Sequence, residues 1–167
     1  MTEMDTATGR SNAKAKVVVV TGASSGAGKA IAMEFAKEGA HLVLAARREE
    51  ALAETVADCE ALGTRAIAVV TDVTKGDEVV HLAQIAAEWG SRIDVWVNNA
   101  GILAAGDFDV TPVQVHDQVI RTNLMGYIHG AHAVLPYFKE QKEGVLINNI
   151  SVGGWFPTPY AVGYSAS

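Results

Sequence analysis

From Lys16 onward, short runs of β-branched residues alternate with longer stretches in which apolar residues recur every three or four positions. Val17-Val18-Val19-Val20 is apolar throughout and too short for a helix, so it predicts a strand buried on both faces of a parallel sheet. A Gly/Ser turn fills 22–28. Lys29 to Glu38 then places Ile31, Phe35 and Ala36 in a helical pattern closed by Gly39. His41 to Ala45 predicts a second strand, and Glu49 to Leu62 a helix ended by Gly63. Ala66 to Val70 predicts a third strand, Asp77 to Trp89 a helix ended by Gly90, and Ile93 to Val97 a fourth strand. Thr111 is placed to cap a long helix with Pro112 in its first turn, running to about Lys139. Val145 to Asn149 completes the series as a fifth strand. Strands separated by helical crossovers imply right-handed βαβ units, an α/β fold and a parallel sheet wound on both faces.

Composition narrows the function classes. A chain of 167 residues, 49% hydrophobic and 19% charged, is long enough for one domain with its own core. Its net charge of -6 argues against a nucleic-acid partner, because no basic stripe is available to release phosphate counterions. Small anions remain compatible, since backbone dipoles hold them whatever the overall sign. Cys59 is the only cysteine, which removes a disulfide framework and a cysteine zinc site; it reads as a half-buried small hydrophobe. His129 and His132 stand at i and i+3, but no carboxylate or cysteine cluster accompanies them, so no metal is expected. Residues 1–15 include Glu3 and Asp5 and lack an apolar run, so they read as a disordered polar tail rather than a signal peptide. Nothing approaches 18 consecutive apolar residues, so neither a membrane span nor a membrane partner is expected, and the expected location is cytoplasmic.

Chemistry concentrates at the ends of the predicted strands. Thr21-Gly22-Ala23-Ser24-Ser25-Gly26-Ala27-Gly28 lies directly after the first strand and opens the first helix. Glycines in that place allow a sharp turn and close backbone approach to a diphosphate, while N–H groups at the helix start attract its charge. The segment is not a P-loop: Lys29 follows Gly28, but Ala30 stands where Ser/Thr is needed and Ala23 where the first glycine is needed. Arg47 and Arg48 follow the second strand with no acid before Glu49. An acid there binds a ribose 2′-hydroxyl, whereas a guanidinium forks onto a 2′-phosphate. That favours NADP over NAD, with Arg47 the leading contact and Arg48 assisting. Trp155 and Phe156, with Pro157 and Pro159, form an apolar stretch that reads either as a rigid packed loop or as one wall of a hydrophobic substrate pocket.

The T-G-x-x-x-G-x-G spacing resembles the short-chain dehydrogenase/reductase family, and the resemblance runs along the ordered chain. Asn98-Asn99-Ala100-Gly101 matches the family's N-N-A-G after strand four. Asn123 stands at the place of its catalytic asparagine, and Ser151 with Tyr164, 13 positions on, matches S-x12-Y-x-x-x-K. One departure is Ala27, where the family usually has isoleucine.

The resemblance implies a Rossmann-type sheet of order 3-2-1-4-5, here truncated after the fifth strand, with residues 16–167 an incomplete NAD(P)-binding domain. It implies cofactor contacts at Gly22, Ser24, Ser25, Gly26, Ala27, Gly28, Asp72, Val73, Asn99, Ala100 and Gly101, the Asp72-Val73 pair lying at the adenine ring. It further implies hydride exchange between the nicotinamide and a small carbonyl or alcohol substrate. Tyr164 would move the proton, Ser151 would hold the substrate oxygen, and Asn123 would anchor a water leading to the lysine. The chain ends at Ser167, one residue before that lysine. An unperturbed tyrosine titrates near about 10, and a neighbouring ammonium brings it down. The expectation is therefore a fragment with little turnover, cut from a longer and homo-oligomeric enzyme. The alternative is a non-catalytic NAD(P)-binding module.

Overall fold

The computed structural model describes residues 15–167, so the tail expected over 1–15 lies, up to residue 14, outside the described residues. Five parallel strands form one sheet: β1 Val17–Thr21, β2 His41–Ala46, β3 Ala66–Val70, β4 Val95–Asn98 and β5 Val145–Asn148. Their order is β3-β2-β1-β4-β5, as expected. Helices α1 Gly26–Lys37, α2 Glu49–Ala61 and α3 Gly76–Gly90 connect the first four strands. The fourth crossover holds α4 Val113–Ile120, a π-helical turn Arg121–Met125 and α5 Gly126–Gln141. A short helix α6, Val162–Ser165, follows β5.

The valine run explains the double winding. Val17 and Val19 enter one apolar cluster with Val79, Leu82, Ala86, Val134 and Phe138, so α3 and α5 cover that face. Val18 and Val20 enter the other cluster with Ala32, Ala36, Leu52 and Cys59, so α1 and α2 cover the opposite face. All four valines are fully buried, each stabilising the fold by roughly 1.5–3 kcal/mol.

Local chemistry moves several boundaries. α3 continues through Gly90, and Ser91 rather than Gly90 takes the left-handed conformation, at φ 62. β4 starts at Val95 because Asp94 accepts the Val17 N–H through its side chain at 2.8 Å. Thr111 does not cap α4: its hydroxyl donates to the Asp107 carbonyl at 2.7 Å, and Pro112 occupies the cap position. The expected single long helix is interrupted by the π turn that carries Asn123. Cys59 is fully rather than half buried, and that burial pushes its thiol pKa up. β5 is one of the two edge strands, with Val145 and Ile147 exposed beside a wholly buried β4.

Candidate functional site

The carboxyl ends of the strands open into one cleft of about 1140 Å³, and every residue expected from the sequence to bind cofactor or act in catalysis lines it, whereas His129, His132 and Phe156 do not. Its floor is the turn between β1 and α1. Gly22 has φ 68, and a Cβ there would lie 2.8 Å from the Ala100 Cα. A Cβ on Gly28 would lie 2.2 Å from the Gly22 carbonyl oxygen. Gly26, at φ 54, has nothing within 4 Å of its Cβ position and faces open space. Ser25 occupies the helix cap position without capping it, so the positive end of α1 is left to whatever enters the cleft.

Thr21 locks the neighbouring strand end onto this floor. Its hydroxyl accepts the N–H groups of Asn99 and Ala100 at 3.0 and 3.2 Å and donates to the Val97 carbonyl at 3.3 Å. The Asn99 side-chain amide donates back to the Thr21 carbonyl at 3.0 Å. Backbone at Asn99, Ala100 and Gly101 is thereby fixed along the cleft wall.

At one end stand the charges. Arg48 donates to the hydroxyls of Ser24 and Ser25 at 3.2 and 2.7 Å, closing a small ring of donors over the turn. Arg47 lines the same end, and its charge reaches Asp72. Burial alone would push the Asp72 carboxyl up. Hydrogen bonds from the Thr74 N–H and hydroxyl, together with the Arg47 and Lys75 charges, outweigh it and hold the group below its ordinary range. Val73 is pinned between Gly126, whose absent side chain leaves it room, and His129, whose Nδ1 lies 2.9 Å from the Val73 carbonyl.

The other end carries Asn123, Ser151 and Tyr164. Asn123 accepts the Ile102 N–H at 2.9 Å and donates to the Ile102 carbonyl and the Ser167 hydroxyl at 3.0 and 3.1 Å. The π turn lets its amide reach both backbone groups. Ser151 accepts the Gly153 N–H at 3.0 Å, which leaves its own O–H free to donate. A Cβ on Gly153 would meet Tyr164 Cε1 at 3.1 Å and Ser151 Oγ at 3.3 Å, so the two side chains face each other across that glycine.

Tyr127 belongs to this end and was missed in the sequence. Its hydroxyl donates to the Asn149 carbonyl at 2.7 Å. Burial, with a smaller contribution from Tyr164, pushes its pKa up to about 12. No motif covers it, but its place four residues after Asn123, on the same helical face, was a readable signal.

The arrangement fits a dinucleotide. The cleft exceeds the roughly 300–1,000 Å³ that holds a drug-sized ligand. Its glycine cradle is one that any side chain at Gly28 would fill, and cationic donors stand at one end only. Among the described residues no group of three His, Cys, Asp or Glu could hold a metal ion, and no helix is long and apolar enough to cross a membrane.

Comparison with known proteins gives the same picture. The family model for short chain dehydrogenases matches residues 16–167. An uncharacterised oxidoreductase of Listeria monocytogenes is 40% identical over 154 residues, covering 92% of this chain and 62% of the relative. A short-chain dehydrogenase/reductase of Burkholderia phymatum, solved in complex with NAD, superposes with a TM-score of 0.89 at 38% identity, over 92% of this chain and 55% of that one. An alcohol dehydrogenase of Thermococcus sibiricus, solved with 5-hydroxy-NADP, gives 0.86 at 29% identity, over 90% and 64%. The chain spans less than two thirds of the length of the curated relatives it matches.

Proposed function

Since the chain belongs to the short-chain dehydrogenase family, we propose that residues 16–167 are the nucleotide-binding domain of an NADP-dependent oxidoreductase acting on a carbonyl or alcohol. The observation that carries this reading is the shared cleft: an uncapped helix start and two arginines at one end, a serine and a tyrosine facing each other at the other.

Gly22, Ser24, Ser25, Gly26, Ala27 and Gly28 would cradle the diphosphate, and Asp72 and Val73 would flank the adenine. Asn99, Ala100 and Gly101 would line the path to the nicotinamide. When bound in its reduced form, the nicotinamide supplies a hydride to the carbonyl carbon and is itself oxidised. Tyr164 gives the matching proton to the carbonyl oxygen, so that an alcohol results and the phenolate regains its proton from solvent. The free O–H of Ser151 donates to the same oxygen and holds it within reach of Tyr164. Asn123 fixes the backbone at Ile102 on the opposite wall.

The preference for NADP rests on Arg48 as well as Arg47. A guanidinium already held by two serine hydroxyls loses little freedom on meeting a 2′-phosphate. Fluorescence titration with NADPH and NADH tests this. Arg48→Ala should weaken NADPH about ten- to hundredfold, the worth of one charge-assisted contact, and change NADH little. Arg47→Asp should likewise weaken NADPH far more than NADH. Equal losses for the two nucleotides would refute the assignment.

A further inference from the structure

We propose that His129 is a positioning residue for the adenine base, acting on it through the Val73 carbonyl. The proposal rests on the dinucleotide reading above, in which Asp72 and Val73 flank the adenine, and adds a residue that does not itself line the cleft. His129 and His132 stand three positions apart on α5, yet their surroundings differ. His132 is exposed, whereas His129 is half-buried between α5 and the start of α3. A Cβ on Gly76, the first residue of α3, would meet the imidazole Cδ2 at 3.4 Å and Nε2 at 3.5 Å, so the ring lies against that glycine. Its Nδ1 stands 2.9 Å from the Val73 carbonyl oxygen. A carbonyl only accepts, so Nδ1 carries the proton and donates it.

Val73 lies in the short link between β3 and α3, where no ladder or helix holds the backbone. Its neighbours are fixed without His129. The Thr71 N–H donates to the Ala46 carbonyl at 3.0 Å, and the Asp72 N–H donates to the Glu78 carboxylate at 2.7 Å. The Asp72 carbonyl accepts the Lys75 N–H at 3.0 Å, and its carboxylate takes the Thr74 N–H and hydroxyl. For the Val73 carbonyl, His129 is the one donor among the described residues. The side chain of Val73 meets the same helix: a Cβ on Gly126 would stand 2.8 Å from its Cγ2. One turn of α5 therefore holds Val73 twice, by a hydrogen bond on its carbonyl and by backbone contact on its side chain. Val73 is only 8% exposed, so a carbonyl deprived of its donor would be left unpaired or would turn toward water. Either outcome shifts the wall against which the adenine is read. That turn of α5 directly follows the π turn bearing Asn123, so one helix sets both ends of the cleft.

Fluorescence titration with NADPH and NADH, and competition by adenosine 2′,5′-bisphosphate, which carries the adenine half alone, test this. His129→Leu keeps the bulk of the ring and removes the donor. It should weaken all three ligands by the same factor, about five- to tenfold, the worth of one buried hydrogen bond. Equal loss for NADPH and NADH separates this effect from that of Arg48→Ala, which spares NADH. His129→Asn, whose side-chain N–H stands about where the imidazole Nδ1 does, should bring the affinities back to within about twofold of wild type. Should His129→Leu fail to fold, Gly126→Ala presses on the Val73 side chain instead and should weaken the bisphosphate as much as NADPH. Wild-type affinities in the folded His129→Leu chain overturn the proposal. So does a loss in His129→Asn as large as that in His129→Leu, or a loss for NADPH well above that for the bisphosphate, which places the damage away from the adenine. A wild-type chain that binds neither NADPH nor NADH removes the dinucleotide reading and this one with it; nucleotide binding indifferent to residue 129 removes this one alone.

Discussion

Adding one methyl group at Gly28 should damage both stability and nucleotide binding. The new carbon would stand 2.2 Å from the Gly22 carbonyl oxygen and 2.5 Å from the Asn99 side-chain nitrogen. That is about 1 Å short of an ordinary carbon–oxygen contact. The obstructing atom is backbone in a tight turn and cannot rotate away, so α1 must retreat. Overpacking of this kind costs about 1–3 kcal/mol. Displacing the Asn99 amide from the Thr21 carbonyl adds about 1 kcal/mol. The sum, about 2–4 kcal/mol, corresponds to a fall in Tm of roughly 4–16 °C for a chain of this size. Retreat of the helix start also lengthens the contacts it offers a diphosphate, so NADPH affinity should fall about tenfold or more. Gly26→Ala is the control. Its Cβ meets nothing within 4 Å, so it carries only the left-handed backbone cost of about 1–2 kcal/mol. Thermal unfolding by circular dichroism, with and without NADPH, should therefore rank wild type above Gly26→Ala above Gly28→Ala. A Gly28→Ala chain with wild-type Tm and wild-type affinity would refute the claim that close packing at this turn shapes the cleft.

Three other perturbations follow from the same geometry. Thr21→Val removes the acceptor for the Asn99 and Ala100 N–H groups and should cost about 2–4 kcal/mol in urea unfolding; an unchanged midpoint would contradict it. His41 is held below its ordinary pKa of 6.5 by burial, with Arg65 adding to the effect. The folded state thus favours the neutral ring, and the stability it confers is fully present above pH 6.5 and declines as pH falls toward the lower folded-state value. His41→Gln should flatten that acid limb in unfolding curves taken across it; an unaltered limb would assign it to other groups. Tyr127→Phe should remove a phenol step near pH 12 from an ultraviolet titration, since that group is pushed up to about 12. A step of unchanged amplitude there would contradict the burial of Tyr127.

The sheet was legible because its signals are local. A four-valine run cannot be amphipathic, and each side chain in it must find apolar cover, which dictates helices on both faces. The glycine turn was legible for the same reason: Gly22 and Gly28 are required by backbone contacts that any side chain would break. What could not be read depended on where long side chains come to rest. Arg47 and Arg48 are adjacent and chemically alike; only the path of the chain into α2 decides that Arg48 reaches Ser24 and Ser25. Thr111 carries the chemistry of a helix cap but spends its hydroxyl on Asp107, four residues back, a competition that residue type alone does not resolve. The π turn at Arg121–Met125 leaves no mark in the apolar pattern, because inserting one residue into a helix shifts its faces without changing composition.

The two ends of the cleft are joined by side-chain amides, and this bears on how its geometry is kept. Asn149 donates to the Asn99 side-chain oxygen at 2.8 Å, Asn99 donates to the Thr21 carbonyl, and Tyr127 donates to the Asn149 carbonyl. One layer beneath, Asn98 accepts the Trp96 indole N–H at 2.8 Å and donates to Asn148 and to the Tyr127 carbonyl at 2.9 and 3.1 Å. An amide gives and accepts at once, so these pairs hold β1, β4 and β5 in register without ionised groups. The fit is close: a Cβ on Gly130 would stand 2.1 Å from the Asn98 oxygen, so α5 seats directly on the pair. Ser151 lies two residues beyond Asn149, and the glycine turn begins one residue beyond Thr21. The distance between the glycine turn and the Ser151–Tyr164 pair is therefore set by packed strand ends rather than by free loops, which is the rigidity that the proposed hydride transfer over a few ångströms would require.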